Sequence, residues 1–313
     1  MKIVFMGTPD FAKPTLERLS QSRHEVVGVF SQPDKPRGRG KVILPLPVKS
    51  FALSQNIPVY QPPSLKDDDV FKTIKFLNPD IIIVVAYGHL LPLKIINYPR
   101  LRCVNLHASL LPKYRGAAPI NWVLIRGEKE TGVTTMLMEE SLDTGDILLQ
   151  EKISISPNDN VMTLHDELAI LGAKKILETV SGLEKGLITP VKQNHARAIY
   201  APKLKKEDGL INWECSVNDI SNLIRGTYKW PGAYTFFKDN RLKILKAKMP
   251  IEMHEGKPAS VLDIRQNGIE VATQDGSLLI TTVQPEGKPG MDAYQFSLGH
   301  KIKAGDYFNS SVT

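Results

Sequence analysis

Cysteine is scarce in this chain of 313 residues: Cys103 and Cys215 are the only two, and they lie far apart. A disulfide framework or a zinc site built on paired thiolates is therefore excluded, and a reducing compartment, the cytoplasm, is expected. Long apolar runs are missing too. The longest, Ile81 to Ala86, is too short to span a bilayer, so no membrane partner is expected. The start resembles a signal peptide only briefly, because Gly7-Thr8-Pro9-Asp10 cuts off the apolar stretch Ile3 to Met6. Glycine is sparse where a nucleotide fold would need it. Met6-Gly7-Thr8-Pro9-Asp10 has one glycine where a dinucleotide fingerprint needs three, which argues against a nicotinamide or flavin site. Asp-Thr-Gly occurs once, at Asp143-Thr144-Gly145, whereas an aspartic protease needs a carboxylate dyad from two such loops. His165-Asp166-Glu167 has no second ligand group at metal-site spacing and reads as a solvated helix face, so no metal is expected. Internal repeats and long low-complexity segments are absent.

What is present is a length sufficient for two domains and a formal net charge of +7, which suits a polyanionic partner. The first half alternates short apolar strands with amphipathic helices, the pattern of an α/β Rossmann-like parallel sheet covered on both faces. Strands are expected at Lys2 to Met6, Val26 to Phe30, Ile81 to Val85, Cys103 to Leu106, Val133 to Met138 and Ile147 to Ile153. Helices are expected at Phe11 to Ser20, Val48 to Gln55, Gly116 to Arg126 and Asn160 to Lys185. In such sheets ligands gather at the carboxyl ends of the strands, where Gly7, Tyr87-Gly88, Asn105 to His107 and the Asp143 loop should meet. Residues 190–208 are basic and lack periodicity, as linkers do. Beyond them a short helix at Ser216 to Thr227 and short strands such as Ala233 to Phe237 and Leu242 to Ala247 suggest a small, OB-like β-barrel. The division expected is residues 1–189 as catalytic domain, 190–208 as linker and 209–313 as barrel.

The chain's chemistry concentrates in Cys103-Val104-Asn105-Leu106-His107-Ala108-Ser109-Leu110-Leu111-Pro112, continuing to Arg115-Gly116 and Pro119. On a strand ending near His107, Asn105 and His107 leave the same face. An amide donor beside an imidazole suits a reaction that develops charge on an oxygen while moving a proton. A polar pair at a strand end also serves local backbone groups. A second segment, Met138-Glu139-Glu140-Ser141-Leu142-Asp143-Thr144-Gly145-Asp146, places carboxylates around a turn after a β-branched run, and one of them can orient the histidine. Arg115 at the following helix start can attract an anion or pair on the surface.

With Met6-Gly7-Thr8-Pro9-Asp10-Phe11, the His-x-Ser-Leu-Leu-Pro-x-x-Arg-Gly-x-x-Pro pattern and Leu-Asp-Thr-Gly-Asp, the chain resembles the methionyl-tRNA formyltransferases, among the folate-dependent formyltransferases. The resemblance extends to the Tyr-Ala-Pro-Lys-Leu linker and to the closing stretch Leu279 to Met291, and so covers nearly the whole chain. It implies transfer of the formyl group of 10-formyltetrahydrofolate, the co-substrate, to the α-amino group of methionine on initiator tRNA. Asn105 and His107 would stabilise the oxyanion and Asp143 would bond His107 and help pass the proton to the leaving N10. The resemblance further implies folate contacts from Tyr87, Gly88, Leu90, Leu91, Ser109, Leu110, Leu111, Pro112 and Leu142. His89, Glu139 and Ser141 depart from the family's usual residues there.

Gln32-Pro33-Asp34-Lys35-Pro36-Arg37-Gly38-Arg39-Gly40-Lys41 is too rich in proline and glycine for regular structure. It reads as a solvated loop or as a nucleic-acid contact, with Lys35, Arg37, Arg39 and Lys41 on phosphates and the apolar residues after them against an end base pair. The resemblance favours the second reading, with Arg39 as the discriminating residue, and adds Lys203 and Lys206 of the linker to the tRNA path. A monomer is expected. The rivals are a formyltransferase of amino sugar nucleotides and a tRNA-binding protein without catalysis; the basic loop and linker speak against the first, and the intact Asn105, His107 and Asp143 against the second.

Overall fold

A computed structural model describes residues 1–34, 46–250 and 256–309, and the chain falls into two compact units. The first comprises Met1–Pro119, Glu130–Ser154 and His165–Ala201; the second comprises Ile120–Lys129, Ile155–Leu164 and Pro202–Thr313.

In chain order the elements are β1 (Lys2–Gly7), α1 (Lys13–Ser20), β2 (Glu25–Phe30), α2 (Pro47–Ser54), β3 (Val59–Tyr60), α3 (Asp68–Leu77), β4 (Ile81–Val85), α4 (Leu93–Ile96) and β5 (Cys103–His107). There follow α5 (Pro119–Ile125), β6 (Glu130–Leu137), β7 (Ile147–Ser154) and α6 (Val161–Glu184). Local sequence accounts for several boundaries. Pro14 and Pro47 sit in the first turns of α1 and α2, where a missing N–H leaves no bond unmade. Asp67 caps α3 by accepting from the Asp69 amide at 3.0 Å, and its buried Val70, Ile74 and Leu77 recur on one face. Gly7 is needed for close packing, since a Cβ there would lie 2.9 Å from the Ala12 Cβ and 3.0 Å from the Val85 carbonyl oxygen.

The sheet of the first unit has the order β3-β2-β1-β4-β5-β6-β7. On one face Val4, Met6, Ile82, Val84 and Cys103 join Ile74 and Leu77 of α3 and Ile95 and Ile96 of α4 in a continuous core. On the other, the hydroxyls of Thr135 and Thr179 bond at 2.8 Å, fastening β6 to α6. The sheet is Rossmann-like and mostly parallel, as expected: neighbours from β3 to β5 are parallel, while β6 runs antiparallel to β5 and β7 antiparallel to β6. Antiparallel neighbours can be joined by a short loop, whereas parallel ones need a crossover. Residues 138–146 make that short connection. The helix after the core motif also starts later than expected, at Pro119 rather than Gly116, because the Ala118 N–H donates to the Ala201 carbonyl at 3.2 Å instead of opening a helix. α3 and α4 were not among the expected helices.

The second unit adds α7 (Val217–Gly226), β8 (Tyr234–Phe237), β9 (Asn240–Lys248), β10 (Val261–Arg265), β11 (Gly268–Ala272), β12 (Ser277–Pro285), β13 (Met291–Asp292) and α8 (Ala293–His300). Its antiparallel sheet runs β10-β11-β12-β9-β8, with β13 on β12. The open edges are bridged by one short segment: Asn309 pairs with Phe236 of β8, and Tyr307 with Ser260 beside β10, which closes the sheet into a small barrel. Trp213, Phe237, Ile244, Val283 and Phe308 fill it, and the Trp213 indole N–H finds the Thr235 hydroxyl at 3.0 Å.

Candidate active site

β5 has parallel β4 on one side and antiparallel β6 on the other, so Asn105 pairs with both Val84 and Met136. Asn105 and His107 share the face opposite α6. His107 is buried and Asn105 half-buried. The Asn105 side-chain amide makes no hydrogen bond among the described residues, which leaves its N–H groups available to a ligand.

Asp143 reaches this face by a route different from the one expected. Because β6 is antiparallel to β5, its last residue, Leu137, lies beside Val104, at the amino end of β5. The Met138 N–H donates to the Cys103 carbonyl at 2.8 Å, and the Leu137 N–H to the Asp146 carbonyl at 2.9 Å. From that end the loop turns back across the sheet face until the Asp143 Oδ2 stands 3.6 Å from the His107 Nδ1. That separation exceeds a hydrogen bond. The other imidazole nitrogen, Nε2, lies 2.8 Å from the Tyr114 carbonyl oxygen. A carbonyl only accepts, so Nε2 carries a hydrogen, and Nδ1 is the nitrogen that faces the carboxylate. The Asp143 Oδ2 also accepts from the Gly116 N–H at 2.8 Å. Gly116 has φ +119°, and a Cβ there would lie 2.7 Å from the Ala201 carbonyl oxygen, so only glycine brings this N–H to the carboxylate without strain.

The turn after His107 is tied down by its own polar groups. The Thr134 hydroxyl donates to the Ser109 carbonyl at 2.6 Å and accepts from the Leu111 N–H at 3.1 Å, while the Gln150 amide donates to the Leu111 carbonyl at 2.9 Å. The Ser109 hydroxyl is spent on the Lys113 carbonyl at 2.6 Å. Ser109 and Leu111 are therefore buried parts of the turn, and Leu110 and Pro112 are half-buried.

At the carboxyl ends of β1, β2 and β4 the Thr8 hydroxyl and the Gln32 amide both donate to the Tyr87 carbonyl, at 3.3 and 3.1 Å. Tyr87 and Leu91 belong to the core beneath; burial pushes the Tyr87 phenol up to about 12, and its hydroxyl has no hydrogen-bond partner among the described residues. Gly88, Leu90 and Leu142 are exposed. Lys203 and Lys206 are exposed, whereas Lys35, Arg37, Arg39 and Lys41 lie outside the described residues.

Several contributors were not singled out by sequence reasoning. Beside the 35–45 stretch, Lys49 donates to Asp34 and, at 2.7 Å, to the Gln61 side-chain oxygen Oε1, while the Gln61 Nε2 donates to the Gln32 carbonyl at 2.7 Å. The Lys49 ammonium holds the Asp34 carboxyl below the usual carboxylate range. Arg115 does not pair on the surface. It is 2 % exposed, and its guanidinium donates to the Gln193 side-chain oxygen from Nε at 3.1 Å and from Nη2 at 2.6 Å. Nothing in the sequence marks Gln193, a single amide in a basic stretch. Among the described residues no three His, Cys, Asp or Glu side chains gather as a metal site would need, and no helix is long and apolar enough to cross a membrane.

Comparison with known proteins agrees with this architecture. A family model described as formyl transferase matches residues 1–180, and one described as the formyl transferase C-terminal domain matches residues 203–301. The methionyl-tRNA formyltransferase of Thermodesulfovibrio yellowstonii is 51% identical over 304 residues, covering 97% of each chain. That of Geobacter metallireducens is 48% identical over 305 residues, again covering 97% of each. Among solved structures, methionyl-tRNA formyltransferase from Clostridium thermocellum superposes with a TM-score of 0.55 at 20% identity, over 80% of this chain and 94% of that one, a likeness of fold.

Proposed function

The chain belongs to the formyl transferase family, among the methionyl-tRNA formyltransferases, and from that premise we propose how its residues divide the work. The reaction moves a formyl group from 10-formyltetrahydrofolate to the α-amino group of methionine carried by initiator tRNA. The amine nitrogen forms a bond to the formyl carbon, the bond from that carbon to N10 breaks, and one proton passes from the amine to N10. Asn105 donates to the formyl oxygen as it becomes an oxyanion, a stabilisation worth on the order of a hundredfold or more in rate. His107 accepts the amine proton at Nδ1 and returns it to N10, and Asp143 stabilises the imidazolium in between. With Nε2 engaged by Tyr114, this differs from the expectation that His107 itself donates to the oxyanion.

The observation that carries this reading is the convergence of an unbonded Asn105 amide, the buried His107 and the Asp143 carboxylate 3.6 Å from Nδ1. The folate fits the surroundings. Leu90 and Leu142 leave apolar surface in water that suits an aromatic ring, and the Tyr87-Gly88 turn offers backbone to its polar edge. We assign Ser109, Leu110, Leu111, Pro112 and Leu91 to shaping that pocket. Residues 1–189 carry the chemistry, with the segments 120–129 and 155–164 packed into the second unit. The barrel of residues 209–313 and the 190–208 linker, with Lys203 and Lys206, engage the tRNA together with Lys35, Arg37, Arg39 and Lys41. The enzyme acts as a cytoplasmic monomer, which sedimentation at working concentration tests.

The test is transfer of labelled formyl from 10-formyltetrahydrofolate to methionyl initiator tRNA, with methionyl elongator tRNA, an amino sugar nucleotide and the His107→Ala protein alongside. Preference for the initiator, abolished by His107→Ala, is expected. Transfer to the sugar, or tight tRNA binding without any transfer, would overturn the reading.

A further inference from the structure

We propose that Gln193 is a positioning residue for the formyl transfer. It holds the backbone of the Asp143 loop so that the carboxylate faces the His107 Nδ1. The inference rests on the role given to His107 and Asp143 above and extends it to a residue that no sequence motif marks.

Asp143 stands in the left-handed region, at φ +56°, a conformation that surrounding contacts must hold in place for a residue with a side chain. Gln193 supplies two of those contacts. Its Nε2 donates to the Asp143 carbonyl at 3.0 Å and to the Gly145 carbonyl at 2.7 Å, so one amide clamps both sides of Thr144. Its Oε1 accepts the two bonds from Arg115. All four hydrogen-bonding positions of the side-chain amide are thus used, with an arginine that can only donate at one end and carbonyls that can only accept at the other. The amide has a single orientation consistent with both. Gln193 is 5 % exposed, so water cannot readily replace these bonds.

The clamp is itself fixed to β5's side of the site. Residues 191–201 form a strap: Val191 bridges Ile147, the Arg115 N–H donates to the Ile199 carbonyl at 2.8 Å, and the Ala201 N–H to the Arg115 carbonyl at 2.7 Å. The next residue, Gly116, donates to the Asp143 carboxylate. Asp143 is therefore held at its carboxylate by Gly116 and at its backbone by Gln193, and both anchors meet at Arg115. The Arg115 Nη2 also donates to the His195 Nδ1 at 3.1 Å, completing the guanidinium's ties within the strap. Loosening the clamp lets the loop, and with it the carboxylate, shift. A displacement of about 1 Å in a catalytic geometry can cost on the order of a hundredfold in rate.

Two replacements separate positioning from bulk stability. Gln193→Glu preserves size and still pairs with Arg115, but sets a carboxylate oxygen against two carbonyls in place of the donor. Gln193→Met preserves length and loses all four bonds. For both, kcat at saturating folate and methionyl initiator tRNA should fall by about tenfold to a hundredfold. KM for the tRNA should stay within about twofold, and the pH profile of kcat should move relative to wild type, which a merely structural role would not cause. Proteins of native circular dichroism with kcat and pH profile unchanged, or with only the tRNA KM raised, would overturn the proposal. Should neither variant fold, hydrogen exchange of the Gln193 side-chain amide in the wild-type protein, followed by NMR, decides between the outcomes. Slow exchange supports the clamp, and exchange at the rate of free glutamine overturns it. Wild type and His107→Ala run beside them. An inactive wild type overturns the reaction and this inference together; an active wild type, a dead His107→Ala and unaffected Gln193 variants overturn the clamp alone.

Discussion

The two sides of β5 are built differently. Toward β4 the sheet is parallel, and its carboxyl-end loops meet through side chain to backbone bonds: Thr8 and Gln32 on the Tyr87 carbonyl, and Gln61 on the Gln32 carbonyl. Toward β6 it is antiparallel, and a returning loop carries Asp143 over the face to His107. The parallel side offers shape and backbone, which suits holding a ring. The antiparallel side brings a carboxylate to an imidazole, the pair that the proposed mechanism uses to move a proton. Asn105 and His107 stand on the seam, where the proposed mechanism draws on both sides.

Breaking the seam should have the largest effect. Asn105→Ala, His107→Ala and Asp143→Asn are each expected to lower kcat by on the order of a hundredfold or more with little change in folate KM, as steady-state formylation will show. Gly116→Ala comes next. Its backbone conformation and the crowding against Ala201 should cost roughly 1–3 kcal/mol of stability, seen as a lowered Tm, with a parallel loss of kcat as the Asp143 carboxylate loses its amide. Gln32→Ala on the parallel side should instead raise the folate KM about fivefold with kcat nearly unchanged, since one hydrogen bond nets about 1 kcal/mol. Equal losses of kcat from both sides would erase the distinction.

The smallest effect is expected at Asp34. Its carboxyl is depressed by Lys49, so the stability the pair contributes is fully present above the ordinary carboxylate range, at roughly pH 4, and is lost as pH falls through the lower folded value. Asp34→Asn should therefore lower Tm slightly at neutral pH, and the difference from wild type should vanish in strong acid.

Much of the parallel half was legible in the chain. Ile81 to Val85 was expected and found without change, and the first strand differs only by Gly7, because uninterrupted apolar runs between turn residues leave little choice of structure. Asn105 and His107 were legible because a spacing of two on a strand fixes a common face. The direction of β6 was not, since β-branched residues favour a strand in either orientation. Hence Asp143 lies beside His107, as expected, but reaches it by another route. α3 was available in principle, from Asp67 as a cap followed by Val70, Ile74 and Leu77. Arg115 and Gln193 were not, because their bonds join residues 78 apart and no local pattern encodes such a pairing. The expected tRNA contacts at Lys35, Arg37, Arg39 and Lys41 fall outside the described residues.

The most direct test of the division across β5 is a single-turnover measurement of formyl transfer from 10-formyltetrahydrofolate to methionyl initiator tRNA, comparing Asp143→Asn with Gln32→Ala as folate is raised to saturation. The expected result is that Gln32→Ala regains the wild-type rate at high folate while Asp143→Asn stays about a hundredfold slow at every concentration. A slow, unsaturable Gln32→Ala, or an Asp143→Asn enzyme rescued by folate, would contradict the assignment of ring binding to one side and proton movement to the other.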